Sequence, residues 1–574
     1  MSATVIDLKP FVKKLTGKRI CVFDSETDPF KQGRVPKPFT CGFYDTTTGD
    51  YHDFWGEDCI QQFFDFLTLE YTLKRIKCVI YCHNFGGFDC HFMLDHLEPG
   101  TRPAIINGRI SQCYMEGQEF RDSYRIIPVA LREYQKDDFD YDKMEPETRE
   151  QYKEQILYYQ RNDCIYLAEL VVEFQNLFGD RPTIGNTAIN YLQNFHGFER
   201  LKPGQDEALR PFFFGGRNQC FETGIVRGPF KVYDVRSMYP SAMRNMQHPI
   251  SNAPVIGRLM SPITAFVIWE GVNRGAVPMR KDDGSLDFTV ERGRFHSTIH
   301  EVEAGLETGT IVIHRIIKTI GFHEWTTFGA FIDYCYEERQ KAVAAGDKLR
   351  VLFWKLVMNS AYGKFAQDPR KYETFSFSFG ENGIPDDLYS AENDNGFRPR
   401  FTLGSDLVIW AKPSRNRFNG FFNVATGASI TGAARSQLLR GLSRATRPIY
   451  CDTDSIICKS LGEGPGVKLD PGTKELGTWA LEAEGDVFAC AGKKLYALFS
   501  YTDTTDDKGK PREEVVWQGR KMYCVKKASK GAILKASEIL SVAQGEKVRF
   551  VSDRPNFKLD GTVEFIEREI SCTA

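Results

Sequence analysis

In the segment RPIYCDTDSIICK, two apolar runs flank a tight turn that carries Asp452 and Asp454 at its tip. Carboxylates held that close repel one another unless a cation lies between them. A third acid, Asp234, ends the apolar run of FKVYDVRSMYPSAM, and the turn after it leads into a helix with Tyr239 facing the same site. Between these segments, FWKLVMNSAYGKFA places Lys355, Asn359 and Tyr362 at i, i+4 and i+7, on one helical face. That face could grip a triphosphate. A solvated face is the plain alternative, but asparagine and tyrosine beside an apolar stripe suit it poorly.

A second acidic set lies near the N-terminus. RICVFDSETD runs from an apolar strand into Asp24 and Glu26, which share one face by the period of two. VIYCHNFGGFD is another strand, ending in a glycine-containing turn that supplies Asn84 and Asp89, and YYQRND puts Tyr159 and Asp163 on one helical face. D-x-E at a strand end is, by itself, more often a surface turn than a metal site. The ordered trio of segments is more specific. A phosphodiester repels nucleophiles by its own charge, and a pair of divalent ions both activates water and stabilises the leaving oxygen. Hard Mg²⁺ takes oxygen ligands, which fits carboxylates without Cys or His.

These acids need a scaffold of strands ending in turns, backed by helices. ICVF, KCVIYC and FKVYDV read as strands and EQYKEQILYYQRNDCIYLAELVVEF as a helix, so the fold class is mixed α/β (α+β). The AAGD segment before the Lys355 helix should turn two helices back on each other. Residues 250–330 and 366–425 read as irregular blocks, the second rich in Gly, Pro, Asn and Asp. At 574 residues the chain exceeds one core, and a boundary falls near 185–195. No apolar run approaches the roughly 20 residues of a membrane span, and MSATVIDLKPFVKK lacks a secretory core, so a soluble, intracellular protein is expected. Fifteen cysteines without CxxC or zinc spacing suit free thiols in a reducing compartment. Net charge is −2, which argues against nucleic-acid binding, yet RKMYCVKKASKGAILK (520–535) is locally basic and could line a groove.

In order, D-x-E, N-x₄-D and Y-x₃-D resemble the exonuclease motifs of family B DNA polymerases, while SMYP, KLVMNSAYGK and YCDTDS resemble their polymerase motifs, Met238 replacing a leucine. TGAAR (431–435), KLY (494–496) and FFGGR (213–217) narrow the resemblance to the protein-primed branch, the phage and linear-plasmid replicases that start from a terminal protein. The resemblance spans nearly the whole chain. It implies an RNase H-like 3′→5′ exonuclease domain (1–190) and a right-hand polymerase domain (191–574). Within the latter, palm would be about 191–250 and 426–485, fingers about 331–365 and thumb about 486–574. Two insertions would fall at about 250–330, handling terminal protein and DNA, and at about 366–425, encircling the template for processive strand displacement.

Residue by residue, the resemblance gives Asp24, Glu26, Asp89 and Asp163 two metal ions, with Tyr159 orienting water. Asp234 and Asp454 hold two more, assisted by Asp452. Val235, Tyr239, Lys341, Lys355, Asn359 and Tyr362 bind the nucleotide, Tyr239 by excluding a 2′-OH; Arg339 competes with Lys341 as second phosphate ligand. DNA contacts fall to Thr27, His83, Asn84, Phe88, Phe92, Ser123, Lys136, Gly215, Gly216, Thr431, Arg435, Lys494 and Tyr496. Implied cofactors and partners are Mg²⁺, with Mn²⁺ as substitute, template-primer DNA, dNTPs and a terminal protein, for a monomer at work in the cytoplasm of an infected host. Departures are one extra residue between Asn84 and Asp89, Tyr124 for an aliphatic residue and Phe213 for tyrosine. The rival classes are a binding-only replication factor, which leaves both acid sets idle, a nuclease, which leaves the polymerase motifs idle, and an RNA polymerase or reverse transcriptase, against which the KLVMNSAYGK helix and the exonuclease set count.

Overall fold

The computed structural model describes residues 17–131, 134, 137–380, 396–403, 406–414, 420, 422–529, 531–558 and 560–572. Near the N-terminus a sheet runs in the order Asp50–Trp55, Pro38–Asp45, Arg19–Thr27, Cys78–Cys82, Gln118–Asp122, Arg109–Met115, Ala104–Ile106. Arg19–Thr27 lies parallel to Cys78–Cys82, which lies parallel to Gln118–Asp122. Strand alternation divides two cores. Ile20 and Val22 pack with Leu167 and Val171 of the helix Lys153–Phe178, and Cys21 and Phe23 pack with Phe63 on the other face. Asp24 and Glu26 continue the helix-facing side.

A second sheet runs Glu514–Trp517, Arg520–Ser529, Leu495–Ser500, Trp479–Gly492, Gly224–Val235, Ser455–Leu461, Ala445–Asp452, Asn218–Cys220. Gly224–Val235 is central, so the acid at its end is flanked by paired strands on both sides. The helix Val424–Arg444 is buried on nearly every side and is built of small residues. A Cβ on Gly441 would sit 2.5 Å from the ring of Trp479, and one on Gly432 would overlap Thr298, so glycine is what permits this close packing. Helices Gly329–Ala344 and Lys348–Phe365 form a hairpin. Gly346 takes φ +70° in its turn, and Asp347 caps the second helix by accepting from Arg350 N at 3.0 Å.

Both irregular blocks prove more regular than expected. Val255–Gly257, Ile311–Gly321, Thr264–Asn273 and Arg292–Thr298 form an antiparallel sheet in that order, followed by the helix Ile299–Glu307 with a Thr298/Glu301 capping box. Bulges after Thr264, Ile268 and Glu270 break the alternation, which is why the sequence pattern hides the strands. In the second block, Glu373–Phe379, Leu407–Pro413 and Arg398–Leu403 pair, and Phe377, Leu407 and Ile409 join the Phe23 core. The terminal hairpin of Val548–Phe557 and Val563–Ile570 sets Phe557 against Phe88, His91 and Phe92. All fifteen cysteines are free thiols. Among the described residues no helix is long and apolar enough to cross a membrane.

Candidate active sites

Asp24 and Glu26, from the strand end, and Asp163, from the helix, each offer a ligand oxygen within 4.8 Å of the others. Octahedral Mg²⁺ ligands at about 2.1 Å span at most about 4.2 Å, so small side-chain rotations would close this set on one ion. One helical turn before Asp163, the Tyr159 hydroxyl shares a 2.9 Å hydrogen bond with that of Tyr141. Burial, then the charges of Glu26 and Asp163, push the Tyr159 phenol well above its ordinary value, so it stays a proton donor.

The fourth acid stands apart. Asp89 Oδ1 accepts from Ser25 Oγ at 2.6 Å, and Ser25 lies on the opposite strand face from Asp24 and Glu26. Burial pushes this carboxyl up to about 7, tempered by the Ser25 hydrogen bond. The turn between Asn84 and Asp89 is tight: Asn84 is left-handed at φ +62°, and a Cβ on Gly86 would run into the backbone of Ile110.

Of the proposed primer-end contacts, Phe88 and Phe92 meet edge to face at 5.2 Å, with Phe30 at 5.7 Å from Phe88. Asn84 Oδ1 accepts from Arg109 at 3.4 Å. His83 and Ser123 face each other at 3.0 Å, and Ser123 is fully buried. Thr27 is also buried, its hydroxyl donating to the Asp28 carbonyl. Lys136 lies outside the described residues.

In the second site, strand register does the positioning. Asp452 pairs with Ser455 across the hairpin, and Ser455 pairs with Asp234 on the next strand, which brings the three acids to one sheet end. Val235 N donates to the Asp454 carbonyl at 2.8 Å. Thr453 at the tip is left-handed, φ +55°, and its N–H donates to the Arg217 carbonyl. A Cβ on Gly216 would lie 2.6 Å from Thr453 Oγ1, so the linker glycine is seated on the acidic turn, whereas Gly215 has open space around it. Burial, then the charge of Asp454, pushes Asp234 up to about 7; Asp454 is raised by burial and then by Asp452. Two half-buried acids, each raised by burial and by a neighbouring carboxylate, are a site a cation would relieve.

Lys494 Nζ pairs with Asp452 Oδ2 at 2.7 Å, and Tyr496 packs its ring 4.8 Å from Tyr450. Glu482 is a fourth acid that the sequence reading missed. It sits at a bulge two residues beyond Ala480, the cross-strand neighbour of Asp234, and its charge raises both Asp234 and Asp454. In LEAEGDV it looks like an ordinary surface acid, and only the pairing register reveals it.

Tyr239 and Tyr362 stack, with centroids 4.0 Å apart and planes 11° from parallel. On the same helix as Tyr362, Lys355 is exposed and Asn359 donates to the Lys355 carbonyl at 2.7 Å. Lys341 is exposed and paired with Glu338 at 2.6 Å, while Arg339 has a buried Nε that makes no hydrogen bond. Thr431 and Arg435, expected to contact the template, are both only 3% exposed. Arg435 Nε pairs with Glu301 Oε1 at 2.7 Å and its Nη1 donates to the Phe214 and Gly215 carbonyls. It ties the linker and the 255–321 sheet to the buried helix.

The chain is 47% identical over 572 residues to the DNA-directed DNA polymerase of Enterobacteria phage PRD1, covering 98% of this chain and 99% of that one. It belongs to the family B DNA polymerases. The family model for DNA polymerase type B, organellar and viral, matches residues 133–398. The DNA polymerase of Bacillus phage phi29 is 23% identical over 512 residues, 76% of this chain and 80% of that one. A solved structure, phi29 DNA polymerase complexed with primer-template DNA, superposes with a TM-score of 0.68 at 19% identity, over 97% of this chain and 100% of that one. The mixed α/β fold is thus shared along almost the full length, and the chain is a DNA-directed DNA polymerase that, like its family, uses divalent metal.

Proposed function

We propose that this polymerase is a protein-primed, strand-displacing replicase with 3′→5′ proofreading, and that Mg²⁺ serves both of its sites. The observation that carries the reading is the existence of two separate acid sets, each at the end of its own sheet. Residues up to about 190 would trim and the remainder would build, with the palm, fingers, insertions and thumb divided as the sequence reading has them. Divalent ions held by these acids supply charge neutralisation and lower the pKa of the attacking hydroxyl or water.

In the building site, Asp234 and Asp454 are the metal ligands, and Asp452, tied to Lys494, fixes the lysine near the primer end. Lys355 would bind triphosphate oxygens, with Lys341 or Arg339 as the second cation, and Tyr239 would pack under the sugar. In the trimming site, Asp24, Glu26 and Asp163 form the ligand set, Tyr159 holds the attacking water by its proton, and Phe88 and Phe92 stack on an unpaired 3′ end. Asp89 is the remaining ligand of that site. The polymerase substrates are primer-template DNA, as bound in the phi29 structure, and dNTPs. A terminal protein would dock by the 255–321 sheet, which Glu301 and Arg435 fasten to the palm.

The test is primer extension and 3′-end degradation with Asp454→Ala and Asp24→Ala. Each substitution should remove about 4 kcal/mol of transition-state stabilisation, on the order of 10³-fold in rate. Asp454→Ala should lose synthesis alone, and Asp24→Ala degradation alone; loss of both activities in either variant would defeat the two-site reading.

A further inference from the structure

Most of the fifteen thiols are buried, and only Cys220, Cys524 and Cys572 are half exposed. Cys220 accepts a hydrogen bond from the buried Cys490 thiol, with the sulfurs 3.6 Å apart. Other neighbouring thiols, Cys21 with Cys78, Cys41 with Cys59 and Cys90 with Cys113, are closed off from solvent on both sides. The hydrogen bond from Cys490, helped by the charge of Lys493, holds Cys220 below the ordinary thiol value against the effect of burial. Cys490 is pushed up by the same hydrogen bond, by burial and, more weakly, by nearby Cys572, so it keeps its proton. A solvent-reached sulfur with thiolate character beside a second thiol is the arrangement that peroxides oxidise. The pair also lies beneath Lys494 and the acidic turn. Cys220 is the cross-strand partner of Tyr450, and Cys490 is that of Tyr496. The two tyrosine rings are 4.8 Å apart, and the Tyr450 hydroxyl accepts from Lys494 N at 3.1 Å while donating to Asn218 Oδ1 at 3.3 Å. Lys494 in turn reaches Asp452.

We propose that Cys220 and Cys490 form a reversible oxidation site through which a peroxide stops DNA synthesis. The Cys220 thiolate attacks one peroxide oxygen: the S–O bond forms, the O–O bond breaks, and hydroxide leaves to take up a proton as water. Cys490 gives up its proton and attacks the Cys220 sulfur, so the S–S bond forms, the S–O bond breaks and a second water departs. Two thiols lose two electrons together, and one peroxide is reduced to two waters. A disulfide holds its sulfurs about 2.05 Å apart, roughly 1.5 Å closer than this contact. The bulge between Cys490 and Gly492 gives the strand room for that movement. Closing the gap draws together the strands beneath Tyr450 and Tyr496, and Lys494 moves with them. A displacement of about 1 Å in a positioning group costs up to about 100-fold in rate. The proposal rests on the polymerase activity alone and adds a control of it.

The experiment treats the reduced full-length protein, Cys220→Ser, Cys490→Ala and Cys572→Ser with a small molar excess of hydrogen peroxide, then removes the peroxide. One portion is alkylated and digested without reductant for mass spectrometry of linked peptides; another is assayed for primer extension before and after dithiothreitol. The unsubstituted protein and Cys572→Ser should yield the Cys220–Cys490 linkage, lose about 10- to 100-fold in extension rate, and recover it with dithiothreitol. Cys220→Ser and Cys490→Ala should yield no such linkage and keep their extension rates through the treatment. The linkage is read by mass, so it stands apart from any assignment of residues to the primer end. A Cys490–Cys572 linkage in place of the expected one would overturn the proposal. So would unchanged extension in linked protein, or equal loss of extension in the Cys220→Ser and Cys490→Ala variants.

Discussion

Tyr239 and Tyr362 come from different helices yet meet face to face, so each fixes the other's ring where a sugar and a base would lie. Removing the Tyr239 ring opens that floor. Tyr239→Val is expected to raise ribonucleotide incorporation by about 10- to 100-fold, since steric exclusion of one hydroxyl is worth about 1–3 kcal/mol; competition between dNTP and rNTP in primer extension measures it, and an unchanged preference would contradict the assignment. Much at this scale was legible. Alternation put Asp24 and Glu26 on one face, and the helical repeat put Tyr159 beside Asp163. Other positions were not legible, because spacing carries no information about burial. Arg435 and Ser123 match motif positions yet are buried, and Asp89 accepts a hydrogen bond from Ser25, between Asp24 and Glu26.

Among elements, the buried helix Val424–Arg444 is the hub. Its glycines and alanines let Trp479, Thr298 and Ala366 approach its backbone, and Arg435 anchors it to Glu301 through an ion pair whose side chains are 2% and 1% exposed. Breaking one partner of such a pair leaves a buried charge. Arg435→Ala should therefore cost about 3–5 kcal/mol, while Arg435→Met with Glu301→Gln should recover most of it. Chemical denaturation of the single and double variants measures the difference, and equal losses would show that the pair is not the anchor. The helix hairpin around Gly346 was readable from turn chemistry. The 255–321 sheet was not, since its bulges erase the period of two, and Glu482 acquires meaning only through a register that sequence does not display.

Over the whole molecule, near-neutral charge conceals local pairing. Lys521, Lys526 and Lys527 of the basic run pair with Glu514, Glu482 and Glu513, so much of that run is matched within the sheet. Acid sensitivity should come instead from buried histidines. His248 Nδ1 lies 2.9 Å from Ser429 Oγ and its Nε2 donates to the Ala242 carbonyl, and His300 Nε2 donates to the Gln247 carbonyl. Burial lowers His248 to about 3 and His300 to about 4. Because the unfolded chain titrates near 6.5, stability is complete above that pH and falls progressively toward 4 and 3, by about 1.4 kcal/mol per unit for each ring. His248→Gln should flatten this acid limb in denaturation curves measured from pH 7 to 4; an equally steep limb would exclude the ring. The terminal hairpin has a different reach. Phe557 rests on three rings of the N-terminal unit, and at about 0.5–1.5 kcal/mol each these contacts total roughly 1.5–4.5 kcal/mol. Lifting the hairpin is then disfavoured by about 10- to 2,000-fold, which makes the two ends of the chain a latch that is shut in most molecules at any instant.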